Sequence, residues 1–460
     1  MAKLINIAIL SLLFLLSLVS TAKAHEGAIV DISKFGGKNG GCITEALTKA
    51  WNKACQSPTP SRVLIPPGSY RAGKVLLEGP CKASIEVEFK GTLKPTEDQI
   101  KDDSWIQFNK ITGFKLFGGG TFDGEGAKVW EKCKGGGLEK LPMSVKFNFI
   151  TDGTIEDICS INAKQFHMAV VGCNNVNFNR LRITAPADSP NTDGIHIGQS
   201  TNIRVCDSTI GTGDDCISFL GGTKNVSITK VNCGPGHGIS IGSLGRYQDE
   251  EPLTGITIKD CNFTNTDNGV RIKSWPDRYE NAASDLHFED LTMNNVTNPI
   301  IIDQNYCPGK SCAQGHSKVK LNKVFFKNIK GTSANPCAVK LACSSGTCEG
   351  VELSEIDLSY NGQDGQVTSE CSNVKPNVVG KMNPPACRAP VQIGDKGGGG
   401  GSKVGENGKG GGEKKEKNDS GNDFVHGPVP YVLKHSDYGL FNHKMESIDL
   451  QKARFVFGYG

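Results

Sequence analysis

Asn225-Val-Ser-Ile-Thr-Lys-Val231 and Gly255-Ile-Thr-Ile-Lys-Asp-Cys261 are two of a series of short segments in which apolar and polar residues alternate. Gly, Asn, Asp or Ser bounds each segment, and successive segments begin about 23 to 33 residues apart. Alternation with a period of two predicts β-strands, and a repeat of this length predicts a solenoid. The other members of the series are Val176–Ile183, Asn202–Cys206, Asp285–Leu291, Lys318–Val324 and Gly350–Ile356.

Two solenoid folds contain strands at this spacing, the leucine-rich repeat and the parallel β-helix. The chain lacks the regular leucines and the helical segment of a leucine-rich repeat. We therefore predict an all-β protein, a right-handed single-stranded parallel β-helix. Its turns would stack ~4.8 Å apart, with alternate Ile, Val, Leu and Cys side chains in a continuous core and the outward side chains aligned in columns.

One short helix is predicted near the N-terminus. Residues Thr44–Ala54 carry apolar side chains at helical spacing, with Thr44 as the predicted cap and Glu45 in the first turn. This helix would cover the open end of the solenoid core, as terminal units of repeat proteins must.

The first residues have the pattern of a secretory signal peptide. Residues 1–24 contain Lys3, an apolar run over Ile5–Val19 and the small-residue motif Ala22-Lys-Ala24. The run is too short for a stable membrane span. We therefore expect a secreted, extracellular protein that begins at His25 and has no membrane attachment. Four sequence motifs are candidates for N-glycosylation, at Asn225, Asn262, Asn295 and Asn418.

The 17 cysteines fit an oxidising compartment. Their odd number leaves at least one thiol outside intramolecular pairs, and we expect about half of the cysteines to be bridged. Proximity in the sequence favours four disulfides: Cys216 with Cys233, Cys307 with Cys312, Cys343 with Cys348, and Cys371 with Cys387.

Composition divides the chain into four parts. After the signal peptide, residues 25–392 form the predicted β-helix domain, which carries the candidate catalytic residues. Residues 393–422 are rich in Gly and Lys and predict a disordered linker, because such a segment buries too little apolar area to offset its ordering entropy. Residues 423–460 form a C-terminal tail of unknown role that is too short for a core of its own.

The charge balance argues against a nucleic-acid partner. The net charge is only +3, and the chain has no concentrated basic stripe. An acidic partner would have to be recognised locally, and we expect the protein to act as a monomer.

Four polar clusters follow one another in the middle of the chain. Asp215 follows Asp193 by 22 residues and His237 follows Asp215 by 22 residues, so each cluster lies about one solenoid turn after the previous one. Turn chemistry alone explains any single Asp in such a position. It does not explain carboxylates on neighbouring turns, which repel one another. The clusters are Asn191-Thr-Asp193, Gly213-Asp214-Asp215, Gly236-His237-Gly238 and Arg271-Ile-Lys273, and Tyr306 follows one turn later in the same predicted outward column.

This combination of side chains suits the hydrolysis of an acidic polysaccharide. Glycoside hydrolysis needs a protonated carboxyl for the leaving oxygen and an ionised one to activate water or to attack. Crowding of Asp193, Asp214 and Asp215 supplies both states, because like charges at short range raise one pKa. The cations Arg271 and Lys273 would hold a substrate carboxylate, which favours uronic acids.

The four clusters resemble the signature motifs of polygalacturonases, the family 28 glycoside hydrolases, and Gly118–Gly126 resembles a further segment of that family. The resemblance extends from about Ile29 to Cys387. It implies a right-handed parallel β-helix that hydrolyses 1,4-α-D-galacturonosyl bonds of polygalacturonate, the acidic polymer of pectin, with inversion and without a metal or other cofactor.

The same resemblance implies a role for each residue. Asp214 would be the general acid, Asp193 and Asp215 would activate water, and His237 would lie beside the acid. Substrate would be bound by Arg271, Lys273, Tyr306 and Asn191. Segments such as Gly242–Tyr247 resemble plant exopolygalacturonases of the pollen type, which implies release of single galacturonate units from the non-reducing end.

Other functions differ in observable ways. An endo-polygalacturonase would release oligomers instead of monomers. A pectate lyase would need calcium ligands and would form an unsaturated product. A non-catalytic pectin-binding wall protein would not need Asp193, Asp214 and Asp215 intact, and a rhamnogalacturonan hydrolase would not need the pair Arg271 and Lys273.

Overall fold

The computed structural model describes residues 27–96, 103–133, 141–308, 315–363 and 365–387. The predicted signal peptide at 1–24, the linker at 393–422 and the tail at 423–460 lie outside the described residues, as does the glycosylation candidate Asn418.

Two α-helices, one 3₁₀ helix and 28 strands follow one another within the described part of the chain. The helices are α1 (Thr44–Cys55) and α2 (Ala127–Cys133), and the 3₁₀ helix covers Ile32–Phe35. The strands are β1 (Ala28–Asp31), β2 (Ser61–Ile65), β3 (Ser69–Ala72), β4 (Val75–Glu78), β5 (Ile85–Phe89), β6 (Thr92–Pro95), β7 (Ser104–Phe117), β8 (Thr121–Asp123), β9 (Met143–Glu156), β10 (Cys159–Ile161), β11 (Met168–Val171), β12 (Asn174–Asn179), β13 (Arg182–Thr184), β14 (Ile195–Gly198), β15 (Thr201–Gly211), β16 (Ile217–Phe219), β17 (Lys224–Cys233), β18 (Ile239–Leu244), β19 (Leu253–Lys259), β20 (Asn262–Thr264), β21 (Asn268–Ser274), β22 (Asn281–Val296), β23 (Asn298–Asp303), β24 (Val319–Ser333), β25 (Cys337–Ala342), β26 (Cys348–Tyr360), β27 (Thr368–Ser372) and β28 (Asn377–Asn383).

Every pairing between these strands is parallel, and each strand pairs mainly with the equivalent strand of the next turn. The chain therefore coils as a right-handed parallel β-helix, which confirms the predicted fold. One of its faces carries the polar clusters and is called the site sheet here. It consists of β4, β7, β9, β11, β14, β16, β18, β21, β23, β25 and β27, in that order.

The corners between faces are formed by residues with a left-handed backbone. Asn175, Asn202 and Asn225 lie on three successive turns with φ of 57°, 58° and 54°. Asn tolerates this conformation better than most residues do. On the next turn Gly255 occupies the same corner with φ of 71°. The Asn and Gly residues at the ends of the predicted strands thus form the corners at which the chain changes from one face of the solenoid to the next.

The core is a continuous column of inward side chains, as the alternation predicts. Phe108 and Phe147 stack with ring centroids 5.5 Å apart, and Phe288 and Phe326 stack at 4.9 Å. All four rings are buried. Each buried aromatic ring removes a large apolar area from water, worth roughly 1.5–3 kcal/mol.

Helix α1 covers the N-terminal end of this core, and its buried face includes Trp51, whose ring packs on Phe108 and Phe114. The predicted cap is wrong, because Ile43 is the N-cap residue and makes no side-chain cap bond. Thr44 is the first helical residue, and its hydroxyl accepts a hydrogen bond from the Gly73 amide at 2.8 Å. The second helix, α2, was not predicted from the sequence.

Three of the four predicted disulfides are present in the structure: Cys216–Cys233, Cys343–Cys348 and Cys371–Cys387. For the fourth, Cys307 is disulfide-bonded, but Cys312 lies outside the described residues. A further bridge, Cys55–Cys81, joins the end of α1 to the loop before β5 and was not predicted.

Three glycosylation candidates, Asn225, Asn262 and Asn295, are exposed on the solenoid surface. The amide nitrogen of each donates a hydrogen bond to an Asn of the preceding turn. Their modification stays a prediction. Across the described helices, none is both long and apolar enough to cross a membrane.

Candidate active site

Strand register brings the polar clusters together on the site sheet. Ile195, Ile217 and Ile239 pair across β14, β16 and β18. Two residues before each of them stand Asp193, Asp215 and His237, at the amino ends of these strands. Backbone hydrogen bonds hold the three turns in register, from the Gly194 amide to the Asp215 carbonyl at 2.9 Å and from the Cys216 amide to the Gly238 carbonyl at 2.7 Å. The Cys216–Cys233 bridge begins directly after Asp215.

Asp215 is a buried anion held by two cations. Its Oδ1 accepts hydrogen bonds from Arg271 Nη2 at 3.0 Å and Ser240 Oγ at 2.6 Å, and its Oδ2 accepts one from Lys273 Nζ at 3.0 Å. Burial alone would raise the pKa of Asp215, but the positive charges of Lys273 and Arg271 hold it well below its usual range. Asp215 is therefore ionised at any pH at which the protein is expected to work.

The burial of Lys273 corrects the predicted outward column. Strand alternation directed Arg271 and Lys273 away from the core, which is where they point, but only 2% of the Lys273 side chain is exposed. Asp215 is likewise 2% exposed, and Asp193 is buried. Burial alone would lower the pKa of Lys273, whereas the Asp215 carboxylate raises it above its ordinary value. The column is thus a largely covered charge network rather than a set of solvated side chains.

Asp214 and His237 form a second, more open pair. His237 Nδ1 lies 3.0 Å from Asp214 Oδ1, and His237 Nε2 lies 3.4 Å from Asp267 Oδ2. Burial would lower the pKa of His237, but the Asp214 carboxylate raises it to about 9, so the imidazole is charged at neutral pH. The Asp214 side chain is 18% exposed, more than Asp193 or Asp215. Asp214 is thus the carboxyl of the three that a ligand reaches most easily.

Asp193 lies in a different environment: among the described residues it contacts no Lys or Arg, and His196 Nδ1 lies 3.7 Å from its Oδ2. Its Oδ2 accepts a hydrogen bond from Ser218 Oγ at 2.7 Å. Burial and the negative charge of Asp214 raise the pKa of Asp193 to about 6. The pKa values of two of the three carboxyls are therefore shifted in opposite directions, that of Asp215 downward by its cations and that of Asp193 upward by burial and the Asp214 charge.

The two remaining predicted residues border this network. The ring of Tyr306 lies 5.1 Å from Lys273 Nζ and 5.8 Å from Arg271 Cζ, in the geometry of a cation–π contact. Burial raises the pKa of the Tyr306 hydroxyl. Asn191 has a left-handed backbone with φ of 52°, and its Nδ2 is buried without a hydrogen-bond partner among the described residues. Such a donor is costly unless a ligand or water accepts from it.

Sequence reasoning missed the side chains that support these carboxylates. His196, Ser218, Ser240 and Arg271 are paired in register on four successive strands of the site sheet. They form a second column beside the one that contains Asp193, Asp215 and His237. The same 22-residue spacing that aligned Asp193 with Asp215 would have found Ser218 and Ser240. Ser is common on strand surfaces, so its spacing alone does not indicate a site.

Asp214, Asp215 and His237 also offer ligand atoms within 4.8 Å of one another, a spacing that a metal ion could use. Both oxygens of Asp215 already accept hydrogen bonds from cations. A divalent ion would be repelled by Arg271 and Lys273 at this position. The cluster is therefore better suited to proton transfer than to holding a metal.

The family model of glycosyl hydrolases family 28 matches residues 55–385, which include every residue of this site. The chain belongs to that family. It is 49% identical over 400 residues to a polygalacturonase of Gossypium barbadense, covering 85% of this chain and 98% of the relative. It is also 49% identical over 352 residues to an exopolygalacturonase of Oenothera organensis, covering 75% of this chain and 97% of the relative.

Solved structures show the same fold at low sequence identity. An endo-xylogalacturonan hydrolase from Aspergillus tubingensis matches with a TM-score of 0.68 and 23% identity, covering 77% of this chain and 100% of that chain. A polygalacturonase from Erwinia carotovora matches with a TM-score of 0.55 and 20% identity, covering 75% of this chain and 96% of that chain. These likenesses support the β-helix architecture of this family 28 member.

Proposed function

We propose that this family 28 hydrolase cleaves 1,4-α-D-galacturonosyl bonds of polygalacturonate in the cell wall, releasing single galacturonate units from the non-reducing end. The observation that carries the proposal is the charge network on the site sheet. Three carboxylates lie beside two cations, so the site can protonate a leaving oxygen, activate a water and bind an acidic sugar. Of the two relatives described above, one is named a polygalacturonase and the other an exopolygalacturonase.

Asp214 acts as the general acid. It is the most exposed of the three carboxyls, and the charged His237 contacts its Oδ1 at 3.0 Å. In the resting site the proton of this pair is on His237, beside the Asp214 carboxylate. Transfer of that proton from Nδ1 to Asp214 gives the carboxylic acid that protonates the leaving glycosidic oxygen.

Asp193 and Asp215 act on the attacking water. Asp215 is an anion fixed by Arg271 and Lys273, and Asp193 is ionised above its pKa of about 6. Among the described residues, the hydrogen bonds of Asp193 go through Oδ2, so Oδ1 remains for a water molecule. The pair therefore supplies a base next to a permanent negative charge.

Inversion of the anomeric centre comes to this proposal from the resemblance to the family. The nearest ligand oxygens of Asp214 and Asp215 lie within 4.8 Å. Inverting pairs are usually separated by roughly 6.5–9.5 Å, which leaves room for water. The water-activating contact therefore falls to Asp193, one turn away from Asp214, and Asp215 acts chiefly through its charge.

Substrate carboxylates are bound mainly by Arg271, with Tyr306 and Asn191 at the border of the site. Arg271 is 15% exposed, whereas Lys273 is almost fully covered by its pairing with Asp215. Lys273 therefore contributes to substrate binding through its field, while its direct contact is with Asp215. Nothing in this arrangement requires a cofactor.

The test is to size the products that the purified, secreted protein releases from polygalacturonate, with Asp214→Asn as the inactive control. Galacturonate monomer from the first minutes onward supports the proposal. A ladder of oligomers would instead identify an endo-acting enzyme, and an unsaturated product absorbing in the ultraviolet would identify a lyase. Binding of polygalacturonate without any product would identify a non-catalytic wall protein.

A further inference from the structure

A buried chain of side chains lies behind Asp193. Ser218 Oγ donates to Asp193 Oδ2 at 2.7 Å, and His196 Nδ1 lies 2.7 Å from the same Ser218 Oγ. All three residues are buried. A Ser hydroxyl has a single hydrogen, which here goes to the carboxylate, so Ser218 accepts from His196, and the His196 hydrogen is on Nδ1.

The surroundings of His196 hold it in that state. Its ring stacks on Phe166 with centroids 4.5 Å apart. Its Nε2 is buried and has no hydrogen-bond partner within the described part of the chain. A hydrogen on Nε2 would therefore be buried without an acceptor, which is costly. The Nδ1–H tautomer is the one that this site accommodates.

On the next turn of the solenoid a serine also lies between a carboxylate and a basic side chain, which there is Arg271 instead of a histidine. Ser240 Oγ donates to Asp215 Oδ1 at 2.6 Å and accepts from Arg271 Nε at 3.1 Å. Asp215 additionally contacts Arg271 and Lys273 directly. Asp193 is thus supported through a histidine, and Asp215 through an arginine.

We propose that Ser218 and His196 are positioning residues that stabilise the ionised form of Asp193 and hold its Oδ1 toward the attacking water. The other charged groups near Asp193 do not supply this support. Asp214 and Asp215 repel its charge, His237 is paired with Asp214, and the cations Arg271 and Lys273 are paired with Asp215. Among the described residues Ser218 donates to Asp193 Oδ2 at 2.7 Å, and His196 Nδ1 itself lies 3.7 Å from the same oxygen.

The inference rests on the proposed function and is tested by the pH dependence of kcat/KM on polygalacturonate. Ser218→Ala removes the donor, so the acidic midpoint of the profile should rise by about one pH unit, the size expected for a hydrogen bond to a charged group. At pH 5 this corresponds to about a tenfold loss of kcat with little change in KM. His196→Phe should shift the midpoint in the same direction by less, because Ser218 remains.

Ser160→Ala is the matched control. Ser160 Oγ lies 2.8 Å from His167 Nδ1 in an equally buried pair whose side chains make no hydrogen bond to the three site carboxylates among the described residues. The His167 backbone amide donates to the Asp193 carbonyl at 2.8 Å, and Ser160→Ala does not remove that bond. Ser160→Ala should lower the unfolding free energy, as Ser218→Ala does, and should leave the acidic midpoint of the pH profile unchanged. An unshifted midpoint in both Ser218→Ala and His196→Phe, or an equal shift in Ser160→Ala, would overturn the inference. If the wild type does not hydrolyse polygalacturonate, the proposed function fails, and the carboxyl-carbon NMR titration of Asp193 in wild type and Ser218→Ala decides the inference separately.

A second feature concerns the surface beyond Tyr306. Trp275 meets Tyr306 edge to face with ring centroids 5.7 Å apart. Two arginines lie over the Trp275 ring, Arg246 with Cζ at 5.1 Å and Arg278 with Cζ at 6.0 Å. An aromatic ring with two cations is the combination that Tyr306 forms with Arg271 and Lys273. The combination therefore occurs twice, side by side.

The two copies differ in what their cations already bind. Lys273 donates to Asp215, and Arg271 uses Nη2 for Asp215 and Nε for Ser240, so only part of the Arg271 guanidinium remains for a substrate carboxylate. Arg278 is exposed and makes no ion pair within the described ranges, while the neighbouring Asp277 lies 3.8 Å from Lys318. From this arrangement we infer a second uronate-binding position, in which a sugar ring packs on Trp275 and Arg278 binds its carboxylate.

Chain-length dependence tests this position. A galacturonate dimer fills only the two positions that flank the cleaved bond, whereas a trimer reaches one position further. Arg278→Gln should therefore lower kcat/KM for the trimer about tenfold and leave the dimer within about twofold, since a bidentate ion pair is lost. Arg204→Gln, at an exposed arginine on β15, is the control and should change neither.

Equal losses on dimer and trimer, or no loss on either, would overturn this second inference. If the wild type hydrolyses neither oligomer, the proposed function fails, and calorimetric binding of the trimer to wild type and Arg278→Gln tests the position independently.

Discussion

Lys273→Met removes one charge from the most deeply buried part of the site while keeping nearly the same side-chain volume. In the wild type, Lys273 Nζ donates to Asp215 Oδ2 at 3.0 Å, and both side chains are 2% exposed. The substitution leaves Asp215 with Arg271 and Ser240 as its remaining donors. The sequence alone suggested a substrate-binding lysine, for which the main effect would be weaker binding. The structure predicts a loss of stability as well.

The expected magnitude follows from the burial. Breaking a buried ion pair by removing one partner costs about 3–5 kcal/mol, because the other charge stays buried and less well compensated. An exposed pair would cost only about 0–1 kcal/mol. Asp215→Asn should cost a similar amount, since it strands Lys273. The double variant should lose less than the sum of the two single variants, because no charge of the pair remains.

The direction of the Asp215 pKa shift determines how this stability difference changes with pH. Lys273 and Arg271 depress the pKa of Asp215 in the folded protein, so the stabilisation is present above the unfolded-state value of about 4 and is lost as the pH falls toward the depressed folded value. The difference in unfolding free energy between wild type and Lys273→Met should therefore be largest near pH 7 and shrink below about pH 4.

Urea unfolding at pH 7 and pH 3, followed by circular dichroism, measures this difference. Arg204→Gln removes an exposed positive charge on β15, a strand outside the site sheet, and is the matched control. A cost below about 1 kcal/mol at pH 7, or a cost that does not change between the two pH values, would refute the argument that this pair is buried and mutually stabilising.

Three further predictions concern the same site. Asp214→Asn should lower kcat on polygalacturonate by about 10²–10⁴-fold with little change in the calorimetric Kd for trigalacturonate, and an unchanged kcat would show that Asp214 is not the acid. The pKa of His237 is expected at about 9, so its NMR titration should have its midpoint there, and Asp214→Asn should lower that midpoint; a wild-type midpoint near 6.5 would contradict the charged pair. Replacing Cys216 and Cys233 with Ser should lower the unfolding free energy by roughly 3 kcal/mol in urea, and should reduce kcat because the bridge begins beside Asp215; Cys371→Ser with Cys387→Ser, far along the chain from the site, should leave kcat unchanged.

Much of the site was predictable because one turn of the solenoid corresponds to a nearly constant number of residues here. Asp193, Asp215 and His237 are separated by 22 residues each, and the structure places them on adjacent turns. Alternation also gave the correct direction of Arg271 and Lys273. These features depend on local geometry, which repeats along the chain.

The remaining features depend on contacts between distant segments. Burial of Lys273 results from its pairing with Asp215, 58 residues earlier in the chain. The Cys55–Cys81 bridge joins a helix to a loop 26 residues away, without a repeat to predict its partner. Ile43 in place of Thr44 at the start of α1 reflects competition, because the Thr44 hydroxyl bonds the Gly73 amide. Neither the repeat length of the solenoid nor the secondary-structure propensity of single residues predicts such pairings.

The anomeric configuration of the first product tests the central claim most directly. Polygalacturonate is incubated with the purified protein in an NMR tube, and the H-1 signals of newly formed reducing ends are followed before mutarotation equilibrates them. If Asp214 protonates the leaving oxygen while Asp193 and Asp215 direct water to the opposite face, the β-anomer must appear first. Initial accumulation of the α-anomer, or of an unsaturated sugar in place of either anomer, would contradict the account.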